Sequence, residues 1–273
     1  MEEIRFIKMH GIGNDYIYID CMESEPESSA TLAREMADRH KGVGGDGIVM
    51  ICPSDKADFR MRIFNADGSE ARMCGNASRC IAKYVIDHGL TDRTDLTLET
   101  LSGIRRLMAR KGQDGKVDSV TVDMGRPEVG AVGAEATLPD GSRHRLTAVS
   151  MGNPHGVIFT DDLSDAMVLG HGPELERHPM WPDRANIEFA RIDSPDRITM
   201  RVWERGSGET MACGTGACAT LVAAATNGLT GRKAEISLPG GRLTIEWLPE
   251  SEGGHVMMTG TATEVFTGTY IRN

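Results

Sequence analysis

Two stretches of this chain read as two versions of one sentence: MCGNASRCIAKYVIDHGLT at residues 73–91 and ACGTGACATLVAAATNGLT at 212–230. Placing Cys74 on Cys213 sets an offset of 139 residues (213 − 74), and the same offset carries Gly75 onto Gly214, Gly89 onto Gly228, Leu90 onto Leu229 and Thr91 onto Thr230. Far from these blocks it carries Asn14 of GIGND onto Asn153 of MGNPH, and Asn65 of RIFNADGSE onto Glu204 of RVWERGSGE. An internal repeat constrains a fold more than local propensity does, because both copies must bury their apolar faces in the same way. The chain therefore divides into residues 1–117, carrying Cys74, and 118–262, carrying Cys213. The Gly-, Lys- and Asp-rich stretch RKGQDGKVDS at 110–119 reads as the seam. The last segment, 263–273, is expected to pack with the first half.

Within each half the texture is strand-rich. Residues 59–64 (FRMRIF) and 197–203 (RITMRVW) alternate with period two, and YIYID, IVMI, LTLET, SVTVDM and GVIFT are short β-branched or apolar runs. An amphipathic helix is expected over SSATLAREMADRH (28–40), with serine near its N-cap and Gly42 beyond its end. Two more helices follow the cysteines. ACATLVAAAT (217–226) is interrupted only by threonine, so it should be enclosed on all sides, whereas Arg79, Lys83 and Asp87 break the helix after Cys74. The fold expected is α+β: two pseudo-symmetric domains, each a mixed, mostly antiparallel sheet curled around one central helix.

A thiol at the head of a helix meets unpaired N–H groups and a partial positive charge. That setting is expected to depress its pKa and make the thiolate accessible near neutrality. The same N–H groups can hold a carboxylate, and glycine after each cysteine lets an anion approach the backbone. One half thus offers a base beside an anion cradle, and two halves offer a base for either face of one carboxylate-bearing carbon. Inverting a stereocentre needs that pairing: one thiolate removes a proton as general base and one thiol returns a proton as general acid. Donors at the helix mouths would stabilise the enolate-like charge on the carboxylate.

The blocks KMHGIGNDY, RIFNADGSEARMCGN, VSMGNPH, ANIEF and RVWERGSGETMACGTGACA together resemble the diaminopimelate epimerase family, from residue 8 to residue 220. The resemblance implies a cofactor-independent isomerase that interconverts LL- and meso-diaminopimelate, a precursor of lysine and peptidoglycan. It makes Cys74 and Cys213 the two catalytic thiols, with His155 and Glu204 assisting proton transfer. It places Gly75, Asn76, Gly214 and Thr215 on the reacting carboxylate. Asn14, Asn65, Asn153, Asn186, Glu204 and Arg205 become substrate-binding positions, with Arg205 on the distal carboxylate, a natural role for a guanidinium fork. Four positions depart from the pattern: Ala77 replaces a glycine, Gly47 a substrate-touching glutamine, Gly156 a cysteine, and Phe266 a tyrosine linked to dimerisation. A homodimer is accordingly possible. A racemase acting on another amino acid, of histidine or proline type, would share both thiols, and a thiol redox or ligand-binding protein is the reading outside the isomerases.

Composition excludes other classes. A net charge of −10 lacks the basic footprint of a nucleic-acid binder. No apolar run reaches the 18 or more residues of a membrane span, and the opening MEEIRFIKMHG is unlike a signal peptide. The expectation is a cytoplasmic protein whose six cysteines are reduced, with an amino acid as its small-molecule partner. Cys21, Cys52, Cys80 and Cys218 read as small buried hydrophobes. The spacings of Cys74 to Cys80 and Cys213 to Cys218 are too loose for a zinc knuckle, so no metal is expected. GTGACA matches a dinucleotide motif, but no buried strand precedes it, so no cofactor is expected either.

Overall fold

The structure is a computed structural model that describes residues 2–272. It divides into two compact units, Met1–Val122 with Gly260–Asn273, and Asp123–Thr259.

In the first unit strand Glu2–Gly11 pairs antiparallel with Asn14–Asp20, which runs parallel to Gly47–Cys52. Gly47–Cys52 pairs antiparallel with Phe59–Asn65, which runs parallel to Asp95–Thr100. Asp95–Thr100, Gly103–Lys111 and Val117–Asp123 then form an antiparallel meander. Strand Thr263–Arg272 closes the order by pairing with Glu2–Gly11. The stretch 110–119, read as a seam, is the turn region between the second and third meander strands, and the change of unit comes at Val122/Asp123.

The second unit repeats this pattern of partners and directions. Arg143–Ser150, Pro154–Phe159, Asn186–Ser194, Arg197–Glu204, Lys233–Leu238, Gly241–Trp247 and Val256–Gly260 pair in that order. The directions run antiparallel, parallel, antiparallel, parallel, antiparallel, antiparallel. Moved by 139 positions, each of the seven first-unit strands from Glu2–Gly11 to Val117–Asp123 falls on its counterpart to within three residues at either end (Glu2–Gly11 becomes 141–150, for example).

Helices cover both faces of each sheet, which is why Gly47–Cys52 is buried at every residue rather than alternately. Helix α1 (Ser29–Ala37) seats Leu32, Ala33 and Met36 on Ile17, Ile19, Ile48, Met50 and Phe64. A serine stands at its N-cap, as expected, but does not cap in the usual way. Ser28 sits in the left-handed region (φ 55°) and its side chain makes no cap hydrogen bond. Helix α2 (Gly75–Asp87) lies against the sheet's other face. The charges that interrupt it are put to use there: fully buried Arg79 donates Nε–H to Thr261 O at 3.1 Å, and Lys83 Nζ reaches Asp87 at 2.7 Å and Val117 O at 2.9 Å.

The second unit has a helical segment the sequence reading did not anticipate, a π-helical turn Ala166–His171 running into α3 (Gly172–Glu176). It buries Val168 and Leu175 against Leu146, Ile158, Ile187 and Phe189. Helix α4 (Gly214–Thr226) packs on five strands of the unit and is enclosed, with Gly216–Ala224 buried throughout. Each unit is thus a sheet curled around one central helix, and the two are pseudo-symmetric. Among the described residues no helix is long and apolar enough to cross a membrane.

Candidate active site

In both units the cysteine is the N-cap of the central helix. Cys74 has extended backbone (φ −139°, ψ 117°) and its sulfur accepts from Ala77 N–H at 3.5 Å. Cys213 (φ −116°, ψ 108°) accepts from Gly216 N–H at 3.4 Å. An N-cap normally uses a hydroxyl or carboxylate oxygen to satisfy this donor; here a thiol takes the place. Gly75 and Asn76, and in the other unit Gly214 and Thr215, form the first helical turn, where backbone donors lack partners within the helix.

Around Cys74 the polar groups are amides and an acid cluster. The thiol donates to Asn14 Oδ1 at 3.3 Å, and Asn14 Nδ2 donates to Asp46 Oδ2 at 2.8 Å. Asp46 also accepts from Asp15 N–H at 3.1 Å, and Arg39 bridges Asp15 and Asp46. Burial, with the charge of Asp15 beside it, holds the Asp46 carboxyl above its ordinary value, while Arg39 and Lys8 outweigh burial at Asp15 and lower it. Asn65 ends its strand and ties Nδ2 to Ser69 Oγ at 3.1 Å.

Around Cys213 the neighbours are carboxylates. The thiol is 5% exposed, with Thr215 Oγ1 at 3.6 Å and the Glu204 carboxyl beside it. The expected depression of its pKa is not found. Burial pushes the Cys213 thiol well above 9.0, and the negative charges of Glu204 and Glu188 push the same way. The donors of Thr215 and Gly216 oppose this and lose. Desolvating a thiolate beside two carboxylates costs more than two hydrogen bonds return. Burial also raises the Glu204 carboxyl, whose oxygen accepts from Thr210 Oγ1.

His155 is fully buried beside fully buried Glu188, Nδ1 to Oε1 being 2.6 Å. A carboxylate can only accept here, so Nδ1–H donates to it and the ring orientation is fixed. Nε2 faces Asn153 Oδ1 at 3.2 Å, and Asn153 Nδ2 donates to Thr215 Oγ1 at 3.3 Å, so the histidine connects to the first turn of α4. Asn186 accepts from Arg205 N–H at 2.9 Å and donates to Pro154 O at 3.2 Å. The Arg205 guanidinium is exposed and donates to Asp183 O at 3.0 Å.

The sequence-derived residues of each unit thus converge: Asn14 with Cys74 in the first, and His155, Asn153, Thr215, Glu204 and Cys213 in the second. Glu188 and Asp46 were missed. The only signal for Glu188 was an acid set between Ile187, Phe189 and Ala190, all buried. Three departures acquire local reasons. A Cβ at Gly47 (φ +153°) would lie 2.0 Å from Phe64 O, so no side chain fits. One at Gly156 would meet Trp181 at 2.8 Å. Phe266 packs edge-to-face on Phe6, with centroids 5.9 Å apart.

The sequence matches the family described as diaminopimelate epimerase over residues 6–130 and 147–265. It is 54% identical over 267 residues to the diaminopimelate epimerase of Bacteroides thetaiotaomicron, and 52% identical over 275 residues to that of Phocaeicola vulgatus, in both cases covering 97% of each chain. Among solved structures, a PhzF-family phenazine biosynthesis protein from Bacillus anthracis superposes with TM-score 0.78 at 19% identity over the whole of both chains. A hydroxyproline epimerase from Agrobacterium vitis gives 0.73 at 17% identity, covering 99% of this chain and 91% of that one. At such low identity these two share the fold, whereas the sequence relatives and the matched segments settle kinship: the chain belongs to the diaminopimelate epimerase family.

Proposed function

We propose that this protein is a diaminopimelate epimerase that inverts an α-carbon between the LL and meso forms, using one thiol from each unit and no cofactor. The observation carrying this reading is the repeated cap: each unit sets a cysteine sulfur on the N–H of the third residue after it, at a helix N-terminus suited to a carboxylate. One thiol takes the α-proton and the other supplies a new one to the opposite face. The charge passing onto the carboxylate meets the first-turn donors of Gly75, Asn76, Gly214 and Thr215. Glu204 and the His155–Glu188 pair serve as proton-holding neighbours, the asparagines orient the amino acid's ammonium and carboxylate, and Arg205 takes the distal carboxylate.

Relatives of about 50% identity bearing this name favour diaminopimelate over a histidine- or proline-type substrate. The work of the enzyme would be to supply lysine and peptidoglycan precursors in the cytoplasm. A homodimer is part of the proposal, through the edge strand Thr263–Arg272, which exposes Val265, Phe266 and Ile271. To test the activity, purified protein is incubated with LL-diaminopimelate under reducing conditions, beside a panel of L-amino acids with a single carboxylate. The expected result is the meso form from diaminopimelate and no D-product from the panel. Absence of meso product, or turnover of a panel member in its place, overturns the reading.

A further inference from the structure

The turn carrying Glu204 and Arg205 joins strands Arg197–Glu204 and Gly208–Glu209. Two carboxylates hold it. Glu209 takes a two-pronged grip from Arg201 across the arms, Nε to Oε1 at 2.6 Å and Nη2 to Oε2 at 2.9 Å. This fork belongs to the duplicated fold: Arg62 and Glu70, at the same offset, make it in the first unit at 3.0 and 3.4 Å.

The second carboxylate is unique to this unit. Glu176, the last residue of α3, is 2% exposed. Its Oε2 accepts from Trp203 Nε1–H and its Oε1 from Gly206 N–H, both at 3.1 Å, so its two oxygens grip the residues flanking Glu204–Arg205. Arg184 Nη1 lies 3.5 Å from Oε1, and Glu176 O accepts from Ala185 N–H at 3.2 Å. Asp183, whose carbonyl receives the Arg205 guanidinium, is therefore anchored through the same residue. In the first unit the three positions at the 139-residue offset are Ala37, Phe64 and Asp67. No carboxylate stands at 37, no indole donor at 64, and no arginine on the turn. The grip occurs in the unit that has the arginine.

We propose that Glu176 is the positioning residue for Arg205, and that by fixing this turn it sets the enzyme's requirement for a second carboxylate on the substrate. The inference rests on the reading of Arg205 as the distal-carboxylate ligand. Burying a carboxylate is costly unless it is well partnered, and apart from the neighbouring Arg177 at 4.0 Å the partners here are on the segments that present the guanidinium.

The test uses Glu176→Gln, whose amide can accept at only one of its two terminal atoms, and Trp203→Phe, which removes one donor and keeps an aromatic ring. Amide exchange at Gly206 should speed up by about 10-fold in Glu176→Gln. The KM for diaminopimelate should rise by about 10-fold while kcat changes by less than about 3-fold, with Trp203→Phe smaller in the same direction. In an Arg205→Ala background, Glu176→Gln should change KM by less than about 2-fold, because the group it positions is gone. A wild-type KM in Glu176→Gln, unaltered Gly206 exchange, or a full multiplicative effect on top of Arg205→Ala overturns the proposal. Wild-type enzyme that fails to act on diaminopimelate overturns the reading of Arg205 on which it stands.

Discussion

Cys74 and Cys213 occupy equivalent places, yet the charge around them differs because the duplicated positions have diverged. Glu204 stands where the first unit has Asn65, and Glu188 where it has Val49. The change at 188 has a further consequence one layer away: a Cβ at Gly216 would come within 2.7 Å of Glu188 Oε1, so that position stays glycine, while its counterpart is Ala77. At the scale of single residues, the sequence made both thiols and their caps legible from the repeated Cys-Gly turn. It hid the sign of the Cys213 pKa shift, which is set first by burial and then by carboxylates brought in from other strands. A thiol raised above its ordinary value stays protonated at neutral pH. Labelling of Cys213 by a small thiosulfonate, followed against pH in substrate-free protein, should have its midpoint above 9.0. Glu204→Gln should bring the midpoint down, because removing a nearby negative charge favours the thiolate. A midpoint below the ordinary thiol value in wild type, or an upward move in the variant, would contradict this account.

At the scale of elements, the ends of the two central helices show how closely local chemistry dictates structure. Each terminates with a left-handed glycine, Gly89 at φ +74° and Gly228 at φ +69°. Each is followed by a leucine whose N–H reaches back to the last turn, Leu90 to Val85 O and Leu229 to Ala224 O, both at 2.9 Å. This is the Schellman ending, and a Gly-Leu-Thr after an apolar helix announces it. A Cβ at Gly228 would have nothing within 4 Å, so Gly228→Ala isolates the backbone strain. It should lower unfolding free energy by about 1 kcal/mol in urea titration; an unchanged midpoint would show that the left-handed cap contributes nothing. Helix α3 and the π-turn before it were not read from the sequence, since Gly170, Gly172 and Pro173 break the helical pattern. The repeat held the missing information: helix α1, moved by 139 positions, lands on 168–176. Ser28 shows the converse, a favourable residue type that holds the cap position in a left-handed backbone and makes no side-chain cap bond.

At the scale of the whole molecule, duplication explains why the chain has two capping thiols at two helix mouths where a single domain has one of each. Charge then separates the copies, an amide on the Cys74 sulfur and carboxylates beside Cys213, and only the second has an arginine on its turn with Glu176 bonded to the residues flanking Glu204–Arg205. The measurement that tests this division most directly follows hydrogen isotopes early in the reaction, in deuterium oxide, starting from unlabelled LL-diaminopimelate. If separate thiols remove and return the proton, the meso product carries deuterium at the inverted carbon while the recovered LL substrate remains protiated. Protium carried from substrate into product, or deuterium appearing equally in recovered substrate, would mean that one group serves both faces.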